Sequence, residues 1–462
     1  MGHSRLLLCA LSFIYSSLYY VAVALPVLKN NNQSAKIATQ AIQHIVVIYL
    51  ENHSFNNLYG LFPNANGLEK ANSAAPQTDL DGKPYASLPQ VKNVGYKHAE
   101  IDIRFPKYLP NKPFLIDQYV AADQKTGDLV HRFYQNQAQI NGGLNDRFAA
   151  VSDAGGLVMG YYDGHQLPLW QYAKKYTLAD NFFQGAFGGS FLNHFWLACA
   201  CTPRYENASE ELQIKLDGDG KLLKDGQVID GFVVNTLQTT AIPFYPNTKL
   251  NKQLPPQNMP TIGDRLSDKN ISWAWYAGGW NDASAGKAYK NFQFHHQPYV
   301  YFSRYAEGTV ERTAHLKDET DFIKAIETGT LPAVSFYKPI GALNEHPAYA
   351  DLLSGEQHIA DLLARIEASS QWKNTLVIVT YNENGGFWDH VAPPKKDRWG
   401  PSTRVPTLII SPFAKRGFVD HTEYDTTSIL KLIETRFSLK PLNDRDADAN
   451  NFSNALVFKT SG

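Results

Sequence analysis

The chain has 462 residues, with 43 Lys and Arg against 44 Asp and Glu for a net charge of −1. That length can bury a large core as one domain with insertions or as a few smaller ones. The even charge, with no basic block able to neutralise several backbone phosphates, argues against nucleic acid as a partner. Aromatic residues make up 13% and are scattered along the chain, which reads as a core rich in rings rather than a lipid-contacting stripe.

Residues 1–5 form a short polar head with one positive charge, and residues 6–24 form an apolar run ending in Ala22-Val23-Ala24. The small-x-small ending predicts a signal peptide over 1–24, export to the periplasm or beyond, and a catalytic domain over 25–462. Uncut, the same run is just long enough to anchor the chain in a bilayer. Cys9 lacks the small residues of a lipoprotein signal. Cys199 and Cys201 could close only a small ring and lack the partners of a zinc site, so two reduced, buried cysteines on a helix are expected.

Apolar β-rich runs at 42–50, 271–277, 331–337, 375–381 and 405–410 predict buried strands. Helical periodicity falls between them, notably at 357–367, introduced by Ser354 and Gly355, and at 427–437, with Asp425 as N-cap. This alternation predicts an α/β fold with a mostly parallel sheet and helices on both faces, where ligands gather at strand ends. Residues 203–260, polar and Pro-rich, read as an inserted smaller subdomain. Their Asp217-Gly218-Asp219-Gly220 run reads as a hairpin turn rather than a calcium loop, because Lys221 takes the next ligand position.

Three segments carry candidate chemistry. In the first, a buried strand runs into Glu51-Asn52-His53-Ser54, oxygen groups suited to a hard divalent ion; the competing reading is a loop in which Glu51 caps a helix. In the second, Gly188-Gly189 precedes Ser190 and an apolar helical stretch. That setting suits a nucleophile attacking phosphate, against the competing reading of an ordinary N-cap serine. Leu192 stands where a serine-hydrolase elbow needs glycine, which removes the main support for a lipase. In the third, a strand ends in Asn382-Glu383-Asn384-Gly385-Gly386 and is followed by Asp389-His390. The pairs His295-His296 and Glu345-His346 offer further proton donors.

These segments, with Arg404-Val405-Pro406 and Ser411-Pro412 near the end, resemble the bacterial phosphoesterase family that includes non-haemolytic-type phospholipases C and the respiratory-burst-inhibiting acid phosphatase. The resemblance implies an alkaline phosphatase-like core and one divalent metal held by Glu51, Asn52, Asn382, Glu383 and Ser190, with Ser190 as nucleophile. Oxygen ligation favours calcium or magnesium, with zinc the alternative within the fold group. It also implies a phosphate pocket with His296 and His346 as candidate acids, joined by His131 and Asn193, while Asp389 and His390 lie behind or facing the substrate. The substrate would be a phosphate monoester or a phospholipid, the latter bringing transient membrane-surface contact. The family usually has aspartate where this chain has Asn382, so the rival reading is a secreted protein that binds phosphate esters with impaired turnover. A sulfatase is disfavoured because residues 190–194 lack its modification motif. Oligomeric state is not legible in the sequence.

Overall fold

The computed structural model describes residues 40–95, 99–243, 248–289 and 291–457; the expected signal peptide lies outside them. Among the described residues no helix is long and apolar enough to cross a membrane.

The core is one eight-stranded sheet. Its strands are β1 (His44–Leu50), β2 (Thr177–Ala179), β3 (Trp273–Ala277), β4 (Leu316–Asp318), β5 (Val334–Lys338), β6 (Thr375–Tyr381), β7 (Thr407–Ile410) and β8 (Phe418–Asp420). They lie in the order β4-β3-β5-β1-β6-β7-β2-β8. β7 runs antiparallel to both neighbours and every other pairing is parallel. Strands covered on two faces carry unbroken apolar runs, and β1 is buried from Ile45 onward. The two faces can be told apart by register. Tyr337, paired with Ile48, packs on Phe322 and His358, whereas Tyr49 points the other way onto His194.

Five helices matter to the site: α1 (Phe55–Tyr59), α2 (Phe133–Ile140), α3 (Ser190–Cys199), α4 (Leu352–Ala368) and α5 (Thr426–Phe437). α5 is capped by Asp425, which accepts from Thr427 N. α4 starts earlier than its periodicity suggests, because Asp351 accepts from Ser354 N and caps the helix ahead of Ser354 and Gly355.

Within 203–260, short strands pair only among themselves, and among the described residues none joins the central sheet. Asp217 Oδ1 accepts from Asp219 N and Lys221 N, so the Asp-Gly run closes a hairpin between Lys215–Leu216 and Leu222–Lys224. The expectation of two reduced cysteines is corrected: Cys199 and Cys201 form a disulfide, their Cα atoms 5.1 Å apart. Ala200 adopts φ 48° at the end of α3, and this left-handed residue folds Cys201 back onto Cys199.

Glu356, buried in α4, accepts from Leu169 N at 2.5 Å. Burial outweighs that bond and pushes its carboxyl up to about 8. Below the ordinary glutamate value, folded and unfolded chains both hold this proton. As pH rises from there towards about 8 only the unfolded chain releases it, so stability falls across that window. Glu356→Gln is expected to remove this contribution. In denaturant melts its unfolding free energy should fall less than that of the wild type between about pH 5 and about pH 8, a difference on the order of 1 kcal/mol or more.

Candidate active site

Parallel pairing brings the first and third sequence segments to one edge. Leu50 stands opposite Tyr381, and Asn382 N donates to Leu50 O at 3.0 Å. Glu51-Asn52 and Asn382-Glu383 therefore leave neighbouring strands at the same level, all four fully buried. Gly385, at φ +60°, makes the return possible, since a Cβ there would lie 2.3 Å from Asn52 O.

The second segment meets them from above. Ser190 is the first residue of α3, and Gly189 is its N-cap. The serine hydroxyl caps nothing; it donates to Glu51 Oε2 at 2.8 Å and lies 3.2 Å from Glu383 Oε1. Gly188 adopts φ +85°, and a Cβ on it would come within 2.5 Å of Phe133 N, so the chain approaches α2 too closely for any side chain.

Glu51 is held from its other oxygen. Lys338 Nζ lies 2.6 Å and His296 Nε2 3.0 Å from Oε1. Burial alone would raise the carboxyl, yet Lys338 and His296 hold it well below the usual range. Burial, then the Lys338 charge, pushes His296 down to about 4. His296 thus stands as a support for Glu51, its Nε2 engaged by that carboxylate. Lys338 escaped the sequence reading because the strand was expected to end at Tyr337. The available signal was a lysine directly after an apolar run, the same strand-end rule that marked Glu51.

Ser190 opens onto a cavity of about 180 Å³ lined also by His131, His346, Asp128, Arg132, Asn235 and Tyr349. His131 Nδ1 donates to Leu129 O and His346 Nδ1 to Pro347 O, which leaves Nε2 of each without the proton-donor duty to backbone. Burial works against charge on His131, but Glu383 and Asp128 outweigh it and lift the imidazole to about 9. Burial and Glu51, opposed by His131, raise Glu383 to about 7. Asp128, His131 and His346 offer ligand atoms within 4.8 Å of one another, a group that could hold a metal ion.

Asn193, Asp389 and His390 stand outside the cavity lining. Asn193 accepts from Ala186 N and donates to Ala186 O, Gly188 O and Gly189 O, so its amide ties down the glycine turn. Asp389 is bound by Arg404, not by the adjacent imidazole, and His390 bonds Asn56 and Asn66 instead.

The oxygen set suits a hard divalent ion. Ser190, Glu51 and Glu383 converge, and both amide atoms of buried Asn52 have no hydrogen-bond partner among the described residues. Asn382 is less free, because its Oδ1 accepts from Glu383 N at 2.7 Å.

Family and relatives together define a hydrolase acting on phosphoric ester bonds. Residues 42–440 match the model of the Phosphoesterase family, and the chain belongs to that family. It is 25% identical to phospholipase C A of Mycobacterium tuberculosis, over 91% of this chain and 78% of that one. Non-hemolytic phospholipase C of Burkholderia pseudomallei is 26% identical over 86% of this chain and 55% of its own. A solved alkaline phosphatase superfamily protein from Vibrio parahaemolyticus overlays with a TM-score of 0.34 at 10% identity, covering 64% of this chain and 66% of that one. That likeness is too distant to bear on the site.

Proposed function

We propose that the chain is an exported, metal-dependent phosphoesterase of phospholipase C or acid phosphatase type, in which Ser190 attacks phosphorus. The observation that carries this is one hydroxyl shared between Glu51 and Glu383, two buried carboxylates from adjacent strand ends. Glu51, Asn52, Asn382, Glu383 and Ser190 would hold one divalent ion, calcium or magnesium by donor type with zinc the alternative. When bound, such an ion supplies positive charge to the serine oxygen and to the phosphate.

The chain's own residues supply the rest. Donation to Glu51 holds Ser190 Oγ in place at the cavity lining. Its bond to phosphorus forms as its proton passes to Glu51 Oε2 and the ester P–O bond breaks, leaving phosphoserine and an alcohol that takes a proton from His346. The charge on His131 offsets that of the phosphate oxygens. Water then attacks phosphorus, giving a proton to His346, and the P–Oγ bond breaks to release phosphate as Ser190 takes back the proton held by Glu51. The segment 203–260 would stand beside the cavity as an insertion, since Asn235 reaches its lining.

Purified protein is expected to hydrolyse nitrophenyl phosphate or nitrophenyl phosphorylcholine and to stop when chelated. Preference for the first marks a phosphomonoesterase and for the second a phospholipase C. Glu51→Gln should lose bound metal and activity together, the rate falling roughly 10²-fold or more. Undiminished turnover after chelation would refute the metal assignment. Metal binding with no turnover of either ester would favour the impaired binding protein, for which Asn382 is the motivating residue.

A further inference from the structure

Lys338 is fully buried at the end of β5, where an ammonium ion is costly unless paired. Its Nζ lies 2.6 Å from Glu51 Oε1 and 3.3 Å from Leu50 O, with the Tyr49 ring 5.5 Å away. Glu51 is thereby divided between two duties. Oε1 faces Lys338 and His296, while Oε2 accepts from Ser190. The oxygen set proposed for the ion contains only the carboxylates of Glu51 and Glu383, its other members being two amides and a hydroxyl. One fixed positive charge against Glu51 cancels half of that negative charge.

We infer that Lys338 is a positioning residue that claims one oxygen of Glu51, commits the other to the nucleophile, and keeps the site's hold on its divalent ion weak and exchangeable. The inference rests on the metal reading given above. A merely structural lysine, filling space and pairing a carboxylate, predicts the opposite effect of removal, because a loosened Glu51 would bind an ion less well. An electrostatic role predicts tighter binding, since a like charge close to the ion is gone.

The test is calorimetric titration of calcium and of magnesium into chelator-treated full-length protein, with melting curves to establish folding. Lys338→Met and Lys338→Gln are expected to lower the ion's Kd by about tenfold or more, as unscreened repulsion at short range implies. Lys338→Arg, which keeps the charge, should stay within about threefold of the wild type. Folded neutral variants that bind the ion equally or more weakly would overturn the inference. So would failure of both neutral variants to fold while the arginine variant folds, because Lys338 would then serve the fold. If the wild type itself binds no divalent ion, the metal reading fails first and the inference with it.

Discussion

Ser190→Ala is expected to lower kcat by roughly 10³-fold or more while leaving the ion bound and the fold intact. The fold should survive because the hydroxyl caps no helix: Gly189 occupies that position, and among the described residues Ser190 Oγ hydrogen-bonds only Glu51 and Glu383. Metal retention follows from the remaining donors and separates this variant from Glu51→Gln, which should lose both ion and rate. The decisive readout is covalent. Rapid acid quenching of wild type with radiolabelled phosphate ester should trap phosphate on the protein, and the alanine variant should trap none. A Ser190→Ala enzyme with wild-type turnover would remove the nucleophile from the scheme.

Much of this arrangement could be read from residue order because parallel strands advertise themselves. The apolar runs before Glu51 and Asn382 are buried on both faces, and their polar sequels must emerge at one edge. Two glycines before Ser190 likewise announced a close backbone approach. What stayed hidden is information that sequence neighbours do not carry. Asp389 sits beside His390 in the chain, yet its partner is Arg404, brought in by the strand that follows. Asn193 looked like a phosphate donor one helical turn from Ser190, but its amide is consumed by the glycine turn beneath it. The disulfide was missed because a Cys-x-Cys ring depends on the left-handed Ala200 between the two sulfurs, a conformation that alanine rarely adopts.

Arg404 gives the largest expected effect on stability. It is fully buried, with Nε 2.9 Å from Asp389 Oδ1 and one terminal nitrogen 3.2 Å from Oδ2. Its other terminal nitrogen donates to Asp180 O at 2.6 Å, and the guanidinium lies 4.6 Å from the Phe55 ring centre. Asp389 in turn accepts from Asn56 N and Val391 N, so the pair joins α1, the loop after β6 and the approach to β7. Arg404→Met leaves a buried carboxylate without its cation and is expected to cost about 3–5 kcal/mol in denaturant melts. Adding Asp389→Asn should recover part of that loss, because the stranded charge is removed while the amide oxygen can still accept one of the two backbone bonds. The coupling between the two substitutions, taken from a double-mutant cycle, measures the pair. Kinetics then separate this role from contact with substrate. Asp389 and Arg404 lie outside the Ser190 cavity, so variants assayed well below their melting temperatures should keep the wild-type KM. A rise in KM with unchanged stability would instead put Asp389 against the substrate.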